Sequence, residues 1–178
     1  IGMGLDKRIG SRFLRAGPAY GGSCFPKDTR AIVDTAKEFK TDLTIIKNVI
    51  KSNQNRSKIL LNRVSKLLKN KIKNKKITFL GVTFKANTDD MRESSSLVMI
   101  PSLISKGAKI KYYDPSGYKK DFEKFKNISF SENIKSACID ADMIIIHTEW
   151  NDFKALNFKT LSRKKNVIVY DMRNILSP

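Results

Sequence analysis

Met143-Ile144-Ile145-Ile146-His147 sets four apolar residues in a row with no polar alternation, the pattern of a strand covered on both faces. A strand with no wet face needs a layer on each side, which points to a parallel sheet flanked by helices. Reading outward, Ile77-Thr78-Phe79-Leu80-Gly81-Val82 is a second buried run, broken by glycine. Ala108 to Tyr113 is another strand, closed by Asp114-Pro115, and Val167-Ile168-Val169-Tyr170 is the fourth. Between them, Ser94 to Lys106 predicts a helix stopped by Gly107. Lys119 to Phe125 reads as helical, and Phe153 to Lys164 is amphipathic.

Strands alternating with helices imply right-handed crossovers and a Rossmann-like parallel sheet. Such sheets bind ligands at the carboxyl ends of their strands. Those ends carry Phe84-Lys85, Asp114, His147-Thr148-Glu149 and Asp171-Met172-Arg173.

Upstream the period changes. From Asp28 to about Lys69 the chain reads as helical, with Ile32, Val33, Ala36 and Phe39 on one stripe and a fresh N-cap offered at Thr41-Asp42. The next stripe, Leu43, Ile46, Ile50, Asn53, Ser57, Leu60, Val64 and Leu67, is apolar except at Asn53 and Ser57. Those two mark either an interface hydrogen bond or a ligand contact. The basic run from Lys69 to Lys76 has no interleaved aromatics and reads as a solvated junction rather than a polyanion site. The expected division is therefore a mostly helical unit at 1–70 and an α/β unit at 71–178.

The net charge of +18 is spread over both units, with 15 Lys/Arg against 5 Asp/Glu in residues 1–70. Such a balance fits nucleic acid, a small anionic nucleotide, or a lysine-rich surface, and does not choose among them. With 40% hydrophobic residues the chain can build a core. No apolar run approaches the ~20 residues that cross a bilayer. There is no signal-peptide pattern, and Ile1 is not an initiating residue, so the expectation is a piece of a longer chain. Two cysteines, Cys24 and Cys138, are too few for a disulfide scaffold and fit a reducing cytoplasm.

The most informative stretch is Gly17-Pro18-Ala19-Tyr20-Gly21-Gly22-Ser23-Cys24-Phe25-Pro26-Lys27-Asp28. Its glycines allow close backbone approach to a ligand, and Pro26 suits the first turn of a helix. Cys24 would then sit at the helix N-terminus, where the dipole and Lys27 favour thiolate. Asp28 lies one turn further along the same side. A thiolate beside a carboxylate can add to a carbonyl and then activate water. Cys138, in Ser136-Ala137-Cys138-Ile139, has no such company and reads as core.

Gly21 to Asp28 resembles the active-site motif of the UDP-glucose/GDP-mannose dehydrogenase family. Asp6-Lys7-Arg8-Ile9-Gly10 and Phe13-Leu14-Arg15-Ala16-Gly17 match the same family. So do Gly81-Val82-Thr83-Phe84-Lys85-Ala86-Asn87-Thr88-Asp89-Asp90-Met91-Arg92-Glu93-Ser94 and Tyr170-Asp171-Met172-Arg173. The matches run in order along essentially the whole chain and look closer to the UDP-glucose branch than to the GDP-mannose or N-acetylmannosamine branches. The resemblance implies NAD-dependent oxidation of a UDP-sugar's primary alcohol to a carboxylate by two hydride transfers. Cys24 would hold the aldehyde as a thiohemiacetal and then a thioester, and Asp28 would help water release the acid. By the same resemblance Phe13, Leu14, Arg15, Ala16, Gly17 and Gly21 lie along the sugar nucleotide. Phe84, Lys85 and Arg173 contact the substrate, Arg8 reaches the partner's site in a homodimer, and Lys27 and Arg92 contact NAD. Cationic Lys85 and Arg173 suit a pyrophosphate. No metal, nucleic acid or membrane partner is expected.

No Gly-x-Gly-x-x-Gly stands between a strand and a helix in this sequence, which is the NAD fingerprint. Gly2-Met3-Gly4 is followed by Arg8 and Ile9, with no strand before it. The family's NAD domain is thus expected outside these residues, and these residues alone are expected not to turn over. His147, the one histidine, is the base for a rival Cys–His hydrolase reading, disfavoured because no third orienting residue is evident.

Overall fold

The computed structural model describes residues 2–10, 14 and 16–176. Three helices come first: α1 (Gly2–Leu5), α2 (Cys24–Glu38) and α3 (Thr44–Leu67). The remainder alternates β1 (Lys76–Leu80), α4 (Ser96–Ser105), β2 (Lys109–Tyr113), β3 (Ile128–Phe130), α5 (Ile134–Cys138), β4 (Met143–Ile146), α6 (Phe158–Leu161) and β5 (Ile168–Asp171). The five strands form one parallel sheet in the order β3-β2-β1-β4-β5.

β4 is fully buried, as its unbroken apolar run requires, and its residues part by alternation. Met143 and Ile145 join one core with Phe79, Met99, Ile100, Leu103 and the α3 residues Leu60, Leu61 and Val64. Ile144 and Ile146 join a second with Leu80, Ala137, Cys138 and Phe153 on the opposite face. The C-terminal half of α3 therefore packs directly on the sheet. Its stripe places Ser57, Leu60 and Val64 in the buried set, as the 3.6-residue period predicts, but Leu67 at its end is exposed and Leu68 is buried instead. The basic run behaves as expected in its cations, with Lys69, Lys71, Lys73 and Lys76 exposed. It is pinned, however, by Ile72, which is buried in the core.

Several boundaries differ from the sequence reading. The sheet has five strands rather than four. Ile128–Phe130 is a three-residue edge strand, too short to show a period, which pairs with Ile110–Tyr112. The segment 119–125 forms only a single 3₁₀ turn at Lys120–Phe122, held by the buried Phe122. The segment 153–164 splits into a 3₁₀ turn at Asn151–Phe153 and the short α6, because Asn157 caps the latter by accepting the Lys159 N–H at 3.2 Å. The second long helix starts at Thr44 after Leu43, with no side-chain cap. Asp42 instead takes the Thr44 hydroxyl and the Lys47 ammonium. The stop at Gly107 is as expected. Its φ is +83°, and the N–H groups of Gly107 and Ala108 return to Ile104 and Leu103.

Candidate functional site

The loop 16–23 hangs between two supports. From below, α3 holds it through Asn53, whose Oδ1 accepts the Tyr20 N–H and whose Nδ2 donates to the Tyr20 carbonyl, both at 3.0 Å. One helical turn on, Arg56 donates to the carbonyls of Pro18 at 3.1 Å and Gly17 at 3.3 Å. Asn53 is thus the interface hydrogen bond its polar place on an apolar stripe suggested. From the sheet side, the Gly22 N–H donates to the Arg92 carbonyl at 2.8 Å. Gly22 has φ +83°, and a Cβ there would lie 2.7 Å from Cζ of Phe84. Only glycine satisfies both the backbone and the ring.

Arg173 closes the sheet side. Its Nε donates to the His147 carbonyl at 2.9 Å and a terminal nitrogen donates to the Phe84 carbonyl. Its other terminal nitrogen lies under Gly17, where an added Cβ would stand 2.6 Å from it. Burial pushes the guanidinium's pKa down, and the nearby Glu149 carboxylate opposes that. The guanidinium that the family resemblance turned toward a pyrophosphate is therefore already partly engaged: two of its nitrogens hold carbonyls of the chain itself.

These supports enclose an open cleft of about 1060 Å³ at the carboxyl ends of β1, β4 and β5. Of the sequence-expected residues, Ala16, Gly17, Gly21, Phe84, Lys85 and Arg173 line it. Glu149, placed by the sequence at a strand's carboxyl end without a role, lines it as well; Tyr20, Asn87, Lys154 and Arg56 were not expected there, and for Arg56 a cation one turn after Asn53 on α3 was the signal. Phe13 and Arg15 lie outside the described residues. Leu14 is exposed and does not line the cleft.

Cys24 begins α2 and is exposed, with its Sγ 3.6 Å from the Ser23 hydroxyl. It stands three residues beyond Gly21 of the cleft wall, and it does not itself line the cleft. Two cations lie within its Coulombic reach. Lys27 is held above its ordinary pKa by pairing with Asp28 at 2.7 Å, and Cys24 adds a smaller push. Arg92 is raised chiefly by Asp90, again with a contribution from Cys24. Asp28 in this arrangement engages Lys27. Arg8 is exposed and does not itself line the cleft, paired instead with its own neighbour Asp6 at 2.7 Å.

The other candidates drop out of the chemistry. Cys138 is buried in the second core, and burial pushes its thiol up to about 12. His147 is 1% exposed, bonded to Ser95 at 2.8 Å and to Thr148 at 3.2 Å, and burial lowers its pKa to about 3. It is a core hydrogen-bonding residue and not an accessible base for Cys24. Among the described residues no group of three or more His, Cys, Asp or Glu is placed to hold a metal ion, and no helix is long and apolar enough to cross a membrane.

Residues 78–178 match the UDP-glucose/GDP-mannose dehydrogenase family, UDP binding domain, and residues 1–55 match the central domain of the same family. The chain is 42% identical over 98% of its length to UDP-glucose 6-dehydrogenase of Rhizobium meliloti, of which it covers 40%. It is similar in structure to a UDP-glucose dehydrogenase of Pyrobaculum islandicum, with a TM-score of 0.83, 30% identity, and coverage of 98% of this chain and 39% of that one. The UDP-D-ManNAc dehydrogenase of Pyrococcus horikoshii aligns at a TM-score of 0.72 and 26% identity, over 90% of this chain and 36% of that one. The chain thus spans about 40% of the length of the curated relatives it matches. The two domain matches lie in order along the chain, the UDP-binding one alone covers more than half of it, and the chain belongs to the UDP-glucose/GDP-mannose dehydrogenase family.

Proposed function

We propose that this chain supplies the nucleotide cleft and the nucleophile for NAD-dependent oxidation of UDP-glucose to UDP-glucuronate. The observation that carries this reading is the cation-lined cleft whose wall leads, through Gly21, to an exposed cysteine at a helix start. Lys85, Lys154 and the remaining nitrogen of Arg173 face a diphosphate, and Ala16, Gly17 and Gly21 lie along the nucleotide. The sugar then extends past Gly21 toward Cys24. There the thiolate adds to the aldehyde carbon, and the resulting thiohemiacetal, once oxidised, is a thioester that water cleaves with help from Asp28. For that last step Asp28 has to exchange its ion pair with Lys27 for a water.

NAD, when bound, supplies the hydride acceptor. Lys27 and Arg92 fit its phosphates: both are exposed cations, on separate segments, in reach of the same sulfur. The reaction therefore belongs to a polypeptide that also carries an NAD site, and these 178 residues by themselves bind the nucleotide without forming NADH. The functional division is at about residue 70, with dimerisation and the cysteine in 1–70 and the UDP-sugar in 71–178. A homodimer is supported by the exposed apolar side chains Met3, Leu5, Ile32, Phe39 and Ile45, and it would bring Arg8 to the partner's site. Both cysteines are free, which suits a cytoplasmic protein.

The test is calorimetric titration with UDP, and with GDP as the control. Saturable UDP binding that weakens with salt and is lost in Lys85→Ala supports the reading. Equal affinity for GDP, or none for UDP, contradicts it.

A further inference from the structure

We propose that Glu149 is a positioning residue that acts through Arg173, holding the guanidinium in the cleft that the UDP-site reading requires. Glu149 is the only carboxylate among the described residues that line the cleft. On charge alone it is misplaced, since an anion there repels a diphosphate. Its geometry gives a reason for it. Glu149 Oε2 lies 2.9 Å from Arg173 Nε, while the Nε hydrogen goes to the His147 carbonyl. The contact is an ion pair without a hydrogen bond, and Oε2, shut off from solvent, accepts none among the described residues. A buried carboxylate oxygen without a donor is costly unless its charge is needed where it stands.

What it offsets is the Arg173 charge, on a side chain that is only 12% exposed. That single guanidinium joins three segments: the end of β4 at His147, the loop after β1 at Phe84, and the nucleotide loop at Gly17. Glu149 Oε1 also accepts, at 3.5 Å, from Ala86 N–H on the Phe84 loop. Without the carboxylate, a desolvated cation held by neutral carbonyls has water as its better alternative, and swinging out would release all three segments.

Charge and position predict opposite signs for Glu149→Gln. If the carboxylate is merely a repulsive neighbour, the substitution tightens UDP. If it positions Arg173, UDP weakens about tenfold, the scale of one charge-assisted hydrogen bond. The loss should be smaller for uridine, which lacks the phosphates, and absent in an Arg173→Met background. Titrations of the four chains (wild type, each single variant and the double) with UDP and uridine decide this. Unchanged or tighter UDP binding by Glu149→Gln, or the same loss in the Arg173→Met background, overturns the inference. Failure of the wild-type chain to bind UDP overturns the UDP-site reading instead. In that case the thermal melts of the same four chains judge the pair: non-additive midpoints support it and additive ones overturn it.

Discussion

Replacing Asn53 with Ala removes the one side chain that holds Tyr20 from both sides. The two bonds, each 3.0 Å and part-buried, are worth about 1 kcal/mol apiece, so local opening of the loop becomes easier by about 2 kcal/mol. That corresponds to roughly 30-fold faster hydrogen exchange at the Tyr20 amide, with little change in the sheet, whose hydrogen bonds do not involve the loop. Native-state exchange read by NMR or mass spectrometry measures this directly. Asn53→Asp is the sharper variant. It keeps an acceptor for the Tyr20 N–H but turns a carboxylate oxygen on the Tyr20 carbonyl. It should match or exceed the alanine effect at neutral pH and recover in acid, where the protonated carboxyl donates again. An unchanged Tyr20 exchange rate in Asn53→Ala would refute the idea that α3 holds this loop through Asn53.

Other consequences are as direct. Gly22→Ala forces a methyl to within 2.7 Å of the Phe84 ring at φ +83°, so it should cost on the order of 1–2 kcal/mol of loop stability and weaken UDP, read by calorimetry. His147 titrates at about 3 when folded against 6.5 when unfolded, so the unfolded chain takes up a proton that the native one refuses. Stability from this group is complete above pH 6.5 and falls by about 1.4 kcal/mol per pH unit below it. Urea midpoints between pH 7 and 4 should show that slope, and His147→Asn should remove it. The 178-residue chain mixed with UDP-glucose and NAD should give no rise in NADH absorbance, and appreciable turnover would refute the need for an NAD site elsewhere.

The sheet was legible where physics leaves one choice. Met143–Ile146 has no polar residue to face water, so layers on both sides followed, and Gly107 could only end a helix. Ile128–Phe130 was not legible, because three residues at a sheet edge, two half-buried and one exposed, are too few to set a period and exist by pairing with β2. Phe153–Lys164 misled because its amphipathic spacing is real but Asn157 caps a new turn in its middle. At the site, Cys24 stood out by its glycine, proline and lysine company, while Lys85 and Arg173 were marked by the family resemblance and by their place at predicted strand ends. Arg56 was not marked and Glu149 was given a place but no role, since a charge on a helix or beyond a strand is ordinarily solvated, and only tertiary packing turns these two toward the loop and the buried guanidinium. Asn53 sat between these cases: a polar residue on an apolar stripe announces a partner without naming it.

If a bound sugar nucleotide brings its sugar to the sulfur of Cys24, filling the cleft must shield that sulfur. Iodoacetamide labelling followed by peptide mapping reads this out. Cys24 should be alkylated while Cys138, buried and pushed up to about 12, should not, and saturating UDP-glucose should slow Cys24 labelling. Labelling of Cys24 at the same rate with and without UDP-glucose would contradict it.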